Sequence, residues 1–264
     1  MGFKYLKGYG ILDLRSILHV KCRVILGLAF APVVEAWRGP DVAAAAKERA
    51  GYAPQERADV QTPDSMKKFK ILIAESAAPE DFYAEDCEGH VVQAMARVLH
   101  WKATYKIALN AKTLCRAIRA ASSGAYDILH LSCHGDEEGI QLTDEAELSW
   151  EELADCFQEI EQIPRALVIS SCLGGDNGIA RAFQDRKRRP SVIFGAEGKR
   201  NRRITFRGAC ITWPILYTSL AKIGLTPEAF KDAISKMNLI TKHQFVYRRW
   251  DEGKYRRYPS RKEA

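Results

Sequence analysis

Two stretches decide the fold: DILHLSCHG at Asp127–Gly135 and ALVISSCLGG at Ala166–Gly175. Each is a short apolar run, typical of a buried strand, that ends at a reactive side chain and a glycine. The reactive side chains are His134 in the first stretch and Cys172 in the second, 38 positions apart. That separation accommodates a hairpin or loop and one crossover helix, so adjacent parallel strands can bring the two side by side.

A cysteine and a histidine at neighbouring strand ends can form a nucleophile and its base. A thiol with a pKa of about 8.5 is only a few per cent ionised at neutral pH, so it needs a proton acceptor. Free cysteine is also among the most buried residue types, so a packing role for Cys172 or His134 alone is the competing interpretation. The joint context favours a cysteine peptidase. Cys133 points to the opposite face of its strand, where we expect it to pack.

Strand-like and helix-like segments alternate through the rest of the chain. The predicted strands are Phe69–Glu75, Thr104–Leu109, Asp127–Ser132, Ala166–Ser171 and Ser191–Gly195, with a short extended piece at Gly139–Thr143. The predicted helices are Glu88–His100, Ala111–Ala121, Ser149–Ile160, Asn177–Gln184, Ala209–Ile223 and Pro227–Met237. Strands separated by helices predict an α/β fold with a mostly parallel, helix-covered sheet. Sites in such sheets form beyond the carboxyl ends of the strands, where His134 and Cys172 lie.

Composition is that of an ordinary enzyme. With 264 residues and 47% hydrophobic content, the chain can bury a full core, and we expect one domain with an appendage. The seven cysteines are odd in number and contain no CxxC pair, so the sequence predicts neither a disulfide framework nor a zinc knuckle. We expect no metal or cofactor. Cysteine usage of this kind fits a reducing, cytoplasmic compartment.

The chain divides into three predicted parts. Residues 1–66 are an expected appendage, either poorly ordered or not part of the working protein, because Met66 is an attractive internal start. The apolar run Val24–Val34 loosely resembles a signal sequence, but it contains Pro32 and is too short to span a bilayer, so no membrane span is expected. Residues 67–241 form the predicted catalytic domain, and residues 242–264 a basic tail.

Charge is polarised along the chain, although the net charge is only +7. Eleven acidic residues and no Lys or Arg lie between Gly135 and Ile163, whereas Arg186–Arg207 holds nine basic residues and one acid, Glu197. One interpretation is that the acidic and basic segments form solvated surfaces whose opposite charges pair with each other. The functional alternative is that the acidic strip after His134 steers a positively charged substrate.

Four segments together resemble the CHAT domain of the caspase–hemoglobinase (clan CD) cysteine peptidases. They are LHLSCHG, the strand into SSCLGG, the strand SVIFGAEG and the helix GACITWPILYTSL. The resemblance covers residues 69–239 and implies a caspase-like three-layer sandwich. It also implies that His134 is the catalytic histidine, Cys172 the nucleophile, and the backbone N–H groups of Gly135 and Cys172 the oxyanion hole.

The local sequence departs from two branches of this clan. Caspases carry an Ala-Cys-Arg-Gly element where this chain has SSCLGG, and metacaspases carry an aspartate at the position of Ser170. Substrate preference is therefore predicted from this chain's own acids: Glu197, Asp176 and Asp136, all beside predicted strand ends, suit Arg or Lys before the scissile bond. The alternative is that Lys199, Arg200, Arg202 or Arg203 selects an acidic residue.

The resemblance implies a protein substrate and no cofactor. The family's role in bacterial defence suggests a substrate activated by a single cleavage, such as a pore-forming gasdermin-like partner, in a defence or programmed cell-death system. No sensor repeats are found in the sequence, so regulation would need a separate chain. The alternatives are a catalytically silent CHAT-like interaction module and a nucleic-acid-associated protein.

Nucleic-acid binding is the weaker alternative. Aromatic residues alternate with arginines near the end of the chain, at Tyr247, Trp250, Tyr255 and Tyr258, which would suit stacking on single strands. No recognised nucleic-acid motif accompanies them, so a flexible basic tail is the favoured interpretation.

Overall fold

The structure is a computed structural model and describes residues 66–198, 206–241 and 244–260. Within these ranges the strands are β1 (Lys70–Ser76), β2 (Lys102–Ile107), β3 (Ile128–Gly135), β4 (Gly139–Gln141), β5 (Glu147–Ser149), β6 (Ala166–Ser170), β7 (Val192–Glu197), β8 (Gln244–Asp251) and β9 (Lys254–Tyr258). The helices are α1 (Pro79–Tyr83), α2 (Glu88–Val98), α3 (Ala111–Ser123), α4 (Trp150–Cys156), α5 (Asn177–Gln184), α6 (Phe206–Ile223) and α7 (Pro227–Ile240).

The sheet has the strand order β2-β1-β3-β6-β7-β8-β9. Its first five strands run parallel, β8 and β9 are antiparallel additions, and β4 with β5 forms a hairpin that pairs with the end of β3. This confirms the predicted α/β class with a mostly parallel sheet. It also brings β3 and β6 together as neighbours, as the separation of His134 and Cys172 predicted.

Period-two alternation divides the sheet between two cores. On β1, Ile71 and Ile73 pack with residues of α2, α6 and α7, whereas Leu72 and Ala74 pack with residues of α3, α4 and α5. Helices therefore cover both faces, as expected for parallel strands that read as continuous apolar runs. The start of α4 has the capping box predicted from sequence, formed by Ser149 and Glu152.

One disulfide links α3 to α4, through Cys115 and Cys156, with 5.4 Å between their Cα atoms. The prediction that the cysteines form no disulfide is wrong for this pair. The two helices lie over the same face of the sheet, and the separation of 41 residues gave no sign of their proximity.

The segment predicted to be a flexible basic tail forms strands over residues 244–251 and 254–258. Phe245 and Val246 are fully buried, so this part of the chain belongs to the sheet. The interpretation as a flexible tail is wrong for these residues. The appendage predicted at 1–66 lies outside the described residues except for Met66. Among the described helices, none has the length and apolar character needed to cross a membrane.

Candidate active site

His134 and Cys172 both lie at the carboxyl edge of the parallel sheet, beyond the last residue pair of β3 with β6. The last residue pair in register between β3 and β6 is Ser132 with Ser170, and each reactive residue follows two positions later. His134 still belongs to β3, where it pairs with Gln141 of the hairpin, and its side chain is about half exposed. Cys172 is the second residue of the loop after β6 and is a half-buried free thiol. The predicted pair is therefore presented from two adjacent strand ends.

The loop that carries Cys172 is tightly held. Leu173 has a φ of 63°, in the left-handed region that non-glycine residues adopt only where the surrounding structure enforces it. The Gly174 amide donates to the Ser171 carbonyl at 3.3 Å, and the Gly175 amide donates to the Ala196 carbonyl at 2.8 Å. A Cβ on Gly175 would lie 2.6 Å from the Gly195 carbonyl oxygen, so only glycine fits against β7 there.

Gly135, the other residue implied in the oxyanion hole, lies at the end of β3. A Cβ at this position would come within 2.8 Å of the Gly139 carbonyl and 3.2 Å of the Ser171 side chain. Glycine therefore lets the β3–β4 turn close against the residue that precedes Cys172. The backbone of Gly135 and the Cys172 loop are thus neighbours, as an oxyanion hole made from both would require.

Asp81 is a third member of the site that the sequence analysis missed. It lies on α1, the one-turn helix after β1, and the Nε2 atom of His134 lies 2.8 Å from its Oδ2. When Nε2–H donates to Asp81, Nδ1 of a neutral imidazole carries the lone pair that accepts a proton. The signal available in sequence was Pro79 followed by acids directly after β1, because β1 ends at the same sheet edge.

The other free thiols of the described residues lie in surroundings that raise their pKa values. Burial, with the Glu75, Asp81 and Asp86 carboxylates, raises the pKa of Cys87 to about 11. Burial and the charge of Glu88 also raise the pKa of Cys133 and of Cys210. Cys133 packs against the core formed with α3, α4 and α5, as predicted from the alternation along β3. These surroundings disfavour the thiolate at each of the three positions.

A buried polar network supports the strand that leads to Cys172. The Ser170 hydroxyl donates to one Glu88 oxygen at 2.8 Å, and His130 Nε2 lies 2.9 Å from the other. The Nδ1 atom of His130 lies 2.6 Å from the Tyr217 hydroxyl, and burial together with the charge of Glu88 raises the pKa of Tyr217. Glu88 therefore places a buried carboxylate beside Ser170, two positions before Cys172.

Glu197, predicted to bind a basic substrate side chain, is engaged by two arginines. Arg248 donates to its Oε1 at 3.0 Å, and Arg257 donates from Nε to its two oxygens at 3.0 and 2.9 Å. The Glu197 side chain is only 14% exposed. The structure thus gives this carboxylate a role within the protein, and its charge is balanced before any substrate arrives.

Asp176 and Asp136 follow the two proposed catalytic residues closely in the chain, four residues after Cys172 and two after His134. Burial, with the nearby Glu197 carboxylate, raises the pKa of Asp176, while the Gly198 amide and Arg248 oppose the shift. Asp136 accepts hydrogen bonds from the Glu138 and Gly139 amides at 2.8 and 3.3 Å, and so closes the turn after His134. Lys199, Arg200, Arg202 and Arg203, the alternative determinants, lie outside the described residues.

The aromatic residues near the end of the chain are used in packing. Tyr247 stacks on Phe230, and the Tyr255 hydroxyl donates to the Pro190 carbonyl at 2.7 Å. The Arg189 guanidinium lies 3.7 Å above the Trp250 ring. These groups therefore have packing partners within the protein.

The chain is similar to the X-ray structure of a secreted C11 cysteine protease from Bacteroides thetaiotaomicron, "iotapain". The match has a TM-score of 0.44 at 9% sequence identity, and it covers 70% of this chain and 66% of that chain. A search of protein-family models finds no match, and neither does a search of curated proteins. The function of this protein is therefore inferred from its own residues.

Proposed function

We propose that the protein is a cysteine endopeptidase in which Cys172 attacks a peptide carbonyl and His134 accepts the thiol proton. The observation that carries the proposal is the register of β3 with β6, whose last pair, Ser132 with Ser170, lies two residues before each of the two proposed catalytic residues. The hydrogen bond from His134 to Asp81 supports it, because it fixes the tautomer in which Nδ1 is the base. Nucleophile, base and orienting carboxylate then form a triad.

The proposed reaction proceeds through an acyl-enzyme. Attack of the Cys172 thiolate on the carbonyl carbon gives a tetrahedral oxyanion, which the N–H groups of Gly135 and Cys172 would stabilise. Loss of one such donor costs on the order of 3 kcal/mol of transition-state stabilisation. The protonated His134 then gives its proton to the leaving amine, and water hydrolyses the thioester with His134 again acting as base.

Cleavage after a basic residue is proposed because carboxylates surround the site. Asp81 contacts His134, Glu88 lies against Ser170, and Asp176 and Asp136 flank the two strand ends. With Glu197 balanced by two arginines, Asp176 and Asp136 are the predicted acids that best explain attraction of Arg or Lys. The acidic strip after His134 would add long-range steering.

The biological substrate is proposed from the CHAT resemblance alone. It would be a protein partner that a single cleavage activates, such as a gasdermin-like pore former in a bacterial defence system, with a separate chain as regulator. Incubating the enzyme with such a partner should give one limited cleavage product, and the Cys172→Ala variant should give none.

The activity can be tested with fluorogenic peptides, assayed with and without calcium. The residue before the reporter group is Arg, Lys, Asp or Leu. Wild type should cleave the Arg and Lys peptides, and Cys172→Ala should cleave none of them. Cys133→Ala is a matched change at the packing cysteine, and it should cleave the same peptides as wild type at a similar rate. If wild type is silent, a thiol-reactive probe should still label Cys172 faster when His134 is intact. Absence of both cleavage and His134-dependent labelling would contradict a peptidase.

A further inference from the structure

Arg248 connects the added strand β8 to the loop that carries Cys172. Its side chain is almost completely buried, and its Nε atom donates to the Gly175 carbonyl at 2.8 Å. The same guanidinium donates from Nη2 to Glu197 at 3.0 Å. One planar group therefore spans the end of the Cys172 loop and the end of β7.

A buried guanidinium is costly unless its charge is balanced and its N–H groups are bonded. Glu197 supplies the balancing charge, and Arg257 on β9 binds the same carboxylate, so the arrangement fixes Glu197 from two sides. The rigid fork of arginine can hold two acceptors at a set angle, which a flexible ammonium group cannot do. Arg248 is placed by its own strand, because it pairs with Ile193 in the β7–β8 register, so its reach to Gly175 does not depend on Arg257.

The Gly175 carbonyl is the far end of a four-residue unit that begins at Cys172. The Gly175 amide donates to the Ala196 carbonyl at 2.8 Å, and the Asp176 amide donates to the Leu173 carbonyl at 2.9 Å. Leu173 holds a left-handed backbone conformation, which persists only when neighbouring contacts enforce it. Arg248 supplies one of those contacts from the carbonyl side of the loop.

We propose that Arg248 is a positioning residue that holds the Cys172 loop, and with it the thiol and N–H of Cys172, in the reactive geometry. The proposal rests on the peptidase function above. It assigns the β8–β9 hairpin a role beyond extending the sheet, because the hairpin carries both arginines that bind Glu197. If these arginines served only to form an ion pair with Glu197, replacing Arg248 or Arg257 would affect the Cys172 loop equally.

Arg248→Lys tests this inference, with Arg257→Lys as the matched control. Both changes keep the charge beside Glu197, but Arg257 contacts Glu197 and the Pro259 carbonyl instead of Gly175. In Arg248→Lys, hydrogen exchange of the Gly175 and Asp176 amides should accelerate about 10-fold or more. The value of kcat/KM should fall about 10-fold or more through kcat, because loss of orientation slows the chemical step. Arg257→Lys should change both by less than about 2-fold.

Two further measurements keep the test decisive. If Arg248→Lys does not fold, Arg248→Gln, which leaves Glu197 paired with Arg257, replaces it in the same assays. Hydrogen exchange needs no substrate, so unchanged protection in a folded Arg248 variant overturns the proposal even if no peptide is ever cleaved. Equal loss of protection in Arg257→Lys would also overturn it, since the loop would then depend on the ion pair as a whole. Faster exchange confined to Arg248 variants supports it.

Discussion

The Nε2 atom of His134 lies 2.8 Å from Oδ2 of Asp81, a residue 53 positions earlier in the chain. The carboxylate comes from α1, a helix of five residues with no buried member, yet it contacts the predicted base of the site. The side chains of both residues are partly exposed, so water competes with this hydrogen bond. We therefore propose that Asp81 acts by orienting the imidazole.

Replacing Asp81 by Asn should reduce activity without unfolding the protein. An amide can present its NH₂ group to Nε2 and so favour the wrong tautomer, and we expect kcat/KM to fall about 10- to 100-fold. Steady-state kinetics on an Arg peptide measures the effect. The control is Glu80→Gln, which removes the same charge from an exposed position one residue away. Equal losses in the two variants would assign the effect to local charge.

Thiol labelling should distinguish Cys172 from the other free cysteines of the described residues. Raised pKa values at Cys87, Cys133 and Cys210 leave little thiolate at neutral pH, so iodoacetamide at pH 7 should modify Cys172 first. Peptide mapping by mass spectrometry measures each site separately, including Cys22, which lies outside the described residues. Faster modification of Cys133 than of Cys172 would contradict the assignment of their roles.

The same labelling tests His134 as base. In His134→Ala the rate at Cys172 should fall, whereas the rate at Cys210 should stay unchanged, because Cys210 lies on α6 and its pKa is set by burial, Glu88 and Asp86. A His134→Ala protein that labels Cys172 at the wild-type rate would remove the evidence for a coupled pair.

Much of the parallel sheet, and the position of His134 and Cys172 at its edge, could be predicted from sequence, because apolar runs of strand length identify buried parallel strands and parallel strands share a carboxyl edge. Predicted helix Asn177–Gln184 has the observed limits, and most other elements shift by a few residues at their ends. Asp81 could not be predicted in the same way. Its position depends on how a short, exposed helix folds back over the sheet edge.

The strands β8 and β9 show a second limit of the sequence analysis. Their arginines suggest a solvated segment, and only the three-dimensional structure shows Arg248 and Arg257 meeting across strands at Glu197. Glu197 itself was predicted as a substrate acid because it lies beside a predicted strand end, and its two arginine partners, 51 and 60 residues away, left no local signal. Charge balance between distant residues is decided by strand pairing, which local patterns do not contain.

Replacement by alanine should destabilise the protein at Ser170 but not at the adjacent Ser171. Ser170→Ala leaves the buried Glu88 carboxylate without one of its donors, and we expect a loss of about 1–3 kcal/mol in the free energy of unfolding. The Ser171 hydroxyl is buried and has no hydrogen-bond partner among the described residues. Ser171→Ala should therefore be neutral within about 0.5 kcal/mol, or stabilising.

Urea denaturation of the two alanine variants makes the comparison, with m-values checked for equality. Both changes remove one hydroxyl from neighbouring buried positions, so loss of volume is matched. A Ser171→Ala protein as unstable as Ser170→Ala would mean that the Ser171 hydroxyl has a partner such as a buried water. It would also reduce the energetic importance given to the Ser170–Glu88 bond.

The raised pKa of Asp176 predicts a pH-dependent effect of Asp176→Asn on stability. A folded-state pKa above the ordinary value of 3.8 means that the ionised carboxylate costs stability at neutral pH. Asp176→Asn should therefore raise Tm at pH 7. This advantage should shrink as the pH falls through the raised pKa and vanish below the ordinary value, where the carboxyl is protonated in both states.

Asp232→Asn provides the control of opposite sign. Hydrogen bonds from Lys236 and Ser219 lower the pKa of Asp232, so its ionised form contributes stability that is lost as the pH falls through the lowered pKa. Asp232→Asn should lower Tm at pH 7, with a difference that shrinks in acid. Thermal melts from pH 3 to pH 7 measure both variants. A Tm for Asp176→Asn below wild type at pH 7 would show that the Gly198 amide and Arg248 outweigh burial, and that the Asp176 charge stabilises the folded loop.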